Sequence, residues 1–200
     1  MRSKVFTIPN VISVVRLLLI PVFLWLLWKP DSQPVAAAVL LAFLGATDWI
    51  DGYIARHLDQ GSELGKILDP TADRALLIAA AIALLTQDLS TPVNIMLWVV
   101  LGREIVIGAA TVSLGLAGAR RIDVVWAGKA GTLAIMFALP LFLAADAVDN
   151  GGFVLNFLGW CFAIGGIAMG YFAALKYVPA ARAALREGRS DRDAVEVQQS

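Results

Sequence analysis

The sequence is short of the residues on which soluble proteins rely. Charged residues make up only 16% of the 200-residue chain, and its sixteen cations are matched by sixteen anions. Disordered chains need low hydrophobicity and high net charge, so disorder is excluded. A neutral chain also offers nucleic acid no bulk electrostatic attraction, so no nucleic-acid partner is expected. One cysteine, Cys161, permits no internal disulfide, and its apolar surroundings in sequence read as those of a small buried hydrophobe. One histidine, His57, has no second histidine or cysteine at ligand spacing and reads as a solvated loop residue. What the chain does have is apolar surface. Hydrophobic residues reach 59% and the mean hydropathy is +0.75, outside the range of a water-soluble globule of this length.

A membrane-crossing helix needs about 20 mostly apolar residues. Six such runs lie between polar breaks, at about 8–28, 35–54, 67–86, 93–117, 124–145 and 153–178. Open sheets leave backbone groups unsatisfied in lipid, so the expected fold is an all-α bundle of six transmembrane helices. The basic start followed by an apolar run resembles a signal peptide, but the run is too long and holds Arg16 in its middle, so it reads as a retained first helix. Eleven of the lysines and arginines in the connections and ends fall on one side against Lys29 on the other, which places both termini in the cytoplasm. Residues 1–178 form one membrane domain. Residues 179–200 read as a polar cytoplasmic tail, a short surface helix fraying into disorder.

Nine ionisable residues lie inside or at the ends of these spans: Arg16, Arg74, Arg103, Lys129, Asp48, Asp51, Asp69, Asp73 and Glu104. Each costs about 2.5–3.5 kcal/mol to place in the bilayer even on the lenient scale, so the set needs a purpose. Arg103 and Glu104 admit a helix–helix ion pair as a purely structural explanation. The four aspartates do not reduce so easily. Asp48 and Asp51 are three apart and Asp69 and Asp73 four apart, so each pair shares a helix face, and the short connection brings both pairs to one membrane boundary. Four such carboxylates repel unless cations neutralise them, and an all-oxygen set suits two magnesium or manganese ions. Gly52 and Gly65 leave the helix ends bare, and Arg56 lies one turn beyond Gly52. Metals flanked by arginine and bare backbone are suited to a diphosphate.

The run Asp48-Trp49-Ile50-Asp51-Gly52-Tyr53-Ile54-Ala55-Arg56, then eight residues, then Gly65-Lys66-Ile67-Leu68-Asp69-Pro70-Thr71-Ala72-Asp73 resembles the CDP-alcohol phosphatidyltransferase signature at every position. The segment Pro9-Asn10-Val11-Ile12-Ser13-Val14-Val15-Arg16-Leu17 with Pro21 is similar to the family's amino-terminal segment. The resemblance implies a six-helix enzyme, commonly a homodimer, that takes CDP-diacylglycerol at the cytoplasmic face of a bacterial cell membrane and releases CMP. It implies that Asp48, Asp51 and Asp69 bind the metals and that Asp73 touches a metal and serves as general base. Gly52, Ala55, Arg56 and Gly65 then hold the nucleotide and its phosphates, with Ser62 in the loop and Asn10, Ser13 and Arg16 alongside.

The acceptor stays open, chiefly between two alcohols, with inositol phosphate or serine as lesser alternatives. Members that make phosphatidylglycerophosphate show an Arg-Glu in span four and Gly-Lys-x-Lys-Thr-x-x-Gln opening span five. Here Arg103-Glu104 is present, but the second lysine is Gly131 and the glutamine is Ile135. Glycerol 3-phosphate, with nearly two negative charges, calls for several cations, which Arg103, Arg120, Arg121 and Lys129 supply. Phosphatidylglycerol, giving cardiolipin, tolerates Gly131 and Ile135 better. Outside this class, a transporter with intramembrane carboxylates is the strongest rival, although its carboxylates belong near the midplane of broken helices rather than at one interface.

Overall fold

Backbone amides in hydrocarbon find no water to bond, so apolar runs of this length satisfy them internally as helices. The computed structural model describes residues 8–58, 65–116, 126–148 and 152–199, with side-chain surroundings for 10–47, 71–109, 127–148 and 152–175. It contains six helices and, among the described residues, no strand: α1 Ile8–Trp28, α2 Pro34–Leu58, α3 Gly65–Leu85, α4 Thr91–Leu116, α5 Trp126–Ala147 and α6 Gly152–Gln199. Among the described residues, four segments are long and apolar enough to cross a membrane: Asn10–Trp28, Thr91–Ala109, Ala127–Ala147 and Gly152–Leu175. In α2 the apolar stretch among the described residues is Pro34–Thr47, and Asp48 and Asp51 lie beyond it on the same helix. In α3 the first turns carry Lys66, Asp69, Asp73 and Arg74 before the apolar stretch begins.

Three expectations change here. The stretch after Pro179 is a continuation of α6 as far as Gln199, not a separate short helix fraying into disorder. From Ala180 to Glu187 it consists of alanine, arginine, leucine and glutamate, all good helix formers, and extending a helix costs far less than nucleating one. Cys161 is exposed rather than buried. It lies on a face of α6 that also exposes Phe157, Phe162 and Ile164. His57 falls in the last turn of α2, not in a loop.

Helices α3 and α5 hold the centre. Helix α3 touches α1, α4 and α5, while α5 touches α2, α3 and α6. Leu76, Leu77, Ala80, Ala81 and Leu84 of α3 are buried against a cluster that includes Phe23, Leu41, Leu97, Ile135 and Leu139. At one end, Leu89 and Val93 near the start of α4, Phe142 and Ala145 near the end of α5 and Gly152 at the start of α6 line a common cavity. The Trp28 indole N–H donates to Thr86 Oγ1 at 2.9 Å, joining the ends of α1 and α3. Consecutive helices therefore alternate in direction, and the starts of α3 and α5 share the opposite end of the bundle. Trp98, Ile105, Val106, Phe153 and Leu175 point outward, as lipid-facing residues do.

The longest seam is the antiparallel pair α5 and α6, and glycine closes it. A Cβ on Gly131 would lie 2.7 Å from the Gly166 carbonyl oxygen and 3.0 Å from the Gly170 nitrogen. A Cβ on Gly166 would lie 2.8 Å from both the Gly131 carbonyl oxygen and Ile135 Cγ1. Small residues let membrane helices approach to backbone contact, and packing rather than hydrophobicity then joins them. Phe142 and Trp160 meet edge-on at 5.3 Å farther along the same seam. Gly166→Val is expected to lower stability by about 1–3 kcal/mol through overpacking. Gly165→Val, whose Cβ meets nothing within 4 Å, is expected to leave it unchanged. Thermal unfolding of both variants in detergent checks the pair.

Candidate active site

Two polar clusters interrupt the apolar interior. Among the described residues, the enclosed polar or charged ones are Asn10, Ser13 and Arg16 of α1 and Glu104 of α4. Positions 10, 13 and 16 advance by three along α1 and form one polar stripe on a helix that is otherwise nearly all apolar. Burying such groups is costly unless each is hydrogen-bonded or paired, so the stripe marks where α1 meets partners of its own kind.

Arg16 supplies the clearest case. Its Nη1 donates to the Asp73 carboxylate of α3, an ion pair across 57 residues of sequence. The Arg16 side chain is wholly enclosed, whereas Asp73 keeps 24% of its side chain exposed. The cation is thus sealed behind the carboxylate, and the carboxylate retains an open edge. Removing one partner of such a pair strands a buried charge, at a cost of about 3–5 kcal/mol.

Of the other aspartates, Asp48 and Asp51 lie on α2, and Asp69 lies on α3 one turn before Asp73. Helix α2 runs unbroken through Asp48 and Asp51, and α3 through Asp69 and Asp73, so spacings of three and four remain same-face spacings. For Asp48, Asp51, Gly52, Ala55, Arg56, Gly65 and Asp69 the structure describes the helical backbone alone. Ser62, Arg120 and Arg121 lie outside the described residues. Gly65 opens α3, and Arg56 sits in the last turn of α2, so both border the connection between the acidic helix ends. The carboxylates of Asp48, Asp51, Asp69 and Asp73 are hard oxygen donors, a chemistry that suits divalent magnesium or manganese and not a soft metal.

The second cluster joins α4, α5 and α6. Arg103 and Glu104 are neighbours on α4, so the expected helix–helix ion pair is instead a pair within one helix, with Arg103 Nη1 3.3 Å from Glu104 Oε1. The contacts between helices are made by the rest of the guanidinium. Arg103 Nη2 approaches Thr132 Oγ1 at 3.5 Å, and the Thr132 hydroxyl donates to the Gly128 carbonyl at 3.1 Å. On its other side the guanidinium lies against bare backbone, since a Cβ on Gly170 would fall 2.7 Å from Nε and 2.8 Å from Cζ. Lys129 is exposed and three residues before Thr132 on α5, so it stands nearer water than Arg103 does.

Gly131 and Ile135, which depart from the phosphatidylglycerophosphate-type pattern, both lie at the α5–α6 crossing against Gly166. Thr132 and Gly170 did not stand out as site residues from the sequence. Gly166 and Gly170 stand four apart on α6, a small-residue spacing that suits a close helix approach, but nothing in it says that Arg103 lies against Gly170.

A model of the family described as CDP-alcohol phosphatidyltransferase matches residues 6–172. The chain is 34% identical over 191 residues to the CMP-forming cardiolipin synthase of Streptomyces coelicolor, covering 92% of this chain and 86% of that protein. It is 41% identical over 146 residues to the CDP-diacylglycerol–glycerol-3-phosphate 3-phosphatidyltransferase of Pseudomonas fluorescens, covering 68% of this chain and 72% of the relative. The protein of that same name from Escherichia coli K12 is 34% identical over 185 residues, covering 90% and 97%.

Proposed function

The chain belongs to the CDP-alcohol phosphatidyltransferase family, and from that premise we propose that it transfers a phosphatidyl group from CDP-diacylglycerol to a glycerol-type hydroxyl in phospholipid biosynthesis. The observation that carries this reading is the pair of unbroken helices holding Asp48, Asp51, Asp69 and Asp73, with Asp73 engaged by a sealed arginine. The acceptor of first choice is glycerol 3-phosphate, giving phosphatidylglycerophosphate. The second is phosphatidylglycerol, giving cardiolipin, which Gly131 and Ile135 favour because helix packing occupies the places of a lysine and a glutamine.

The chemistry follows from charge. The acceptor hydroxyl oxygen bonds to the phosphorus that carries diacylglycerol, the bond from that phosphorus to the CMP oxygen breaks, and the hydroxyl proton passes to the Asp73 carboxylate. Asp48, Asp51, Asp69 and Asp73 would hold two divalent cations, magnesium or manganese, which would supply positive charge against the diphosphate and the departing CMP. Positioned charge is most of phosphoryl-transfer catalysis. Gly52, Ala55, Arg56, Ser62 and Gly65 hold the nucleotide and phosphates, with Asn10, Ser13 and Arg16 lining the inner side. Arg103, Lys129, Arg120 and Arg121 serve the acceptor. In this reading the chain crosses a bacterial cell membrane six times, with both termini and the site on the cytoplasmic side, and works as a homodimer.

The test is direct. Purified protein is incubated with labelled CDP-diacylglycerol and Mg2+ or Mn2+, with glycerol 3-phosphate or phosphatidylglycerol in parallel, while CMP and the lipid product are followed. Phosphatidylglycerophosphate is the expected product, and chelation of the metal is expected to stop CMP release. Cardiolipin from phosphatidylglycerol alone selects the second acceptor. Binding of CDP-diacylglycerol with no turnover in any arm refutes the enzyme reading and favours transport.

A further inference from the structure

Phosphatidyl transfer makes no use of the cavity at the far end of the bundle. Asp73 lies twelve residues, about 18 Å, before the end of α3 at Leu85, and the cavity begins beyond that end. It has a volume of about 270 Å3 and is walled by the start of α4, the end of α5 and the start of α6. At about 30 Å3 per water, that space takes a small polar group and not a whole lipid. Part of its wall is firm and apolar. Val93 and Phe142 are buried, and the Phe142 ring is fixed by the edge of Trp160 and by Gly159, where a Cβ would lie 3.0 Å from Phe142 Cε1. Phe153 adds a second ring to the lining and is itself 84% exposed.

The polar part of the lining consists of Ser90, Asp146 and Asn156. Asp146 stands in the last turn of α5, where unpaired backbone carbonyls already concentrate negative charge, an unfavourable place for a carboxylate with no cation to meet. Among the described residues at this end the one cation is Lys29, and its ammonium sits 4.7 Å from the centre of the Trp25 ring. Asp31 and Asp88 add two more carboxylates to the same end. A carboxylate, helix-end carbonyls and two aromatic rings around one small space select a cation. A single carboxylate is too few for magnesium or calcium, which take six or more oxygens. Three side-chain oxygen acceptors instead match the three N–H donors of a primary ammonium.

Depth identifies the source of that ammonium. The Ala127–Ala147 segment of α5 has 21 residues and is about 31 Å long, the thickness of the hydrocarbon core, so Asp146 falls at its edge, where lipid headgroups lie. Phe153 and Phe157, exposed on the first turns of α6, offer apolar surface beside the cavity. We infer that the cavity binds the primary ammonium of a zwitterionic phospholipid headgroup, taken from the leaflet at the end of the bundle away from Asp73. The headgroup's phosphate is not repelled, because Gly152 opens α6 at the same cavity and the first N–H groups of a helix favour an anion. Such a lipid holds three helix ends together and stabilises the fold without entering the reaction. This inference stands whether or not the chain transfers phosphatidyl groups.

The experiment titrates the purified full-length protein, in a neutral detergent, with short-chain phosphatidylethanolamine, its N-trimethylated counterpart phosphatidylcholine, phosphatidylglycerol and free phosphoethanolamine. Unfolding temperature and bound lipid, the latter by native mass spectrometry, give Kd. Saturable binding of phosphatidylethanolamine with a raised unfolding temperature is expected, and at least about tenfold weaker binding of the trimethylated lipid, which has no N–H to donate. Asp146→Asn is expected to raise Kd for phosphatidylethanolamine about ten- to a hundredfold, the loss of a charged partner, and Asn156→Leu by about two- to tenfold. Asp146→Asn removes an exposed charge from the unfavourable end of a helix, so folding is retained. Asp88→Asn, an exposed carboxylate at the same end but outside the lining, is expected to be silent. CMP release stays within about twofold of the parent in all three variants, and any stabilisation by phosphatidylglycerol is the same in Asp146→Asn as in the parent. Equal Kd for phosphatidylethanolamine and phosphatidylcholine, an unchanged Kd in both Asp146→Asn and Asn156→Leu, or an equal loss in Asp88→Asn overturns the inference. Free phosphoethanolamine bound as tightly as the lipid overturns the membrane as its source.

Discussion

Asp73→Asn is expected to reduce CMP release by at least about 10²–10⁴-fold, the usual contribution of a positioned general base, while the protein remains inserted. Asparagine preserves the shape of the side chain and keeps an oxygen towards Arg16, but it cannot take up the proton of an attacking hydroxyl. The substitution also leaves the sealed Arg16 guanidinium facing a neutral group, so some stability is lost as well. Unfolding temperature and membrane insertion must therefore be measured with turnover, and only a fall in turnover of folded protein counts. Activity retained within about tenfold in well-folded protein removes Asp73 from the role of base.

Arg16→Met carries the second large effect. Methionine fills much of the arginine's volume in a site that admits no water, and it leaves Asp73 with an exposed edge through which it is rehydrated. The stability cost is accordingly smaller than that of stranding the cation. The catalytic cost is large, because the carboxylate loses the group that fixes its direction. Turnover is expected to fall by about a hundredfold, the size of effect that accompanies misplacement of a reacting group by about 1 Å. KM for CDP-diacylglycerol separates two roles. A fall in kcat with KM little changed, the expected outcome, places Arg16 behind Asp73; a KM rise with kcat preserved places it on the nucleotide. Partial rescue by Arg16→Lys distinguishes loss of charge from loss of fit.

Much of the molecule was legible from the residues in order. Apolar runs and their breaks located six helices to within a few residues, the far end of α6 excepted, because hydropathy over a window of about 20 residues is a local property. The aspartate spacings indicated shared helix faces for the same reason, and the unbroken α2 and α3 agree with them. Cys161 misled because apolar neighbours in sequence do not distinguish a protein interior from lipid. The tail misled because its charge suggested solvent and disorder, whereas its alanine-rich run extends a helix already formed.

The sequence by itself determined the helices, the acidic signature across α2 and α3 and the stripe Asn10, Ser13 and Arg16 on α1, since each depends on periodicity within one segment. Only the tertiary structure decided that Arg16 meets Asp73 and that Arg103 rests between Thr132 and Gly170. It also turned Gly131 and Ile135 from missing polar groups into the floor of a helix crossing. Those contacts join residues 29–67 positions apart in the chain, and they are set by how closely and at what depth the helices pass. No pattern within a single helix encodes that depth.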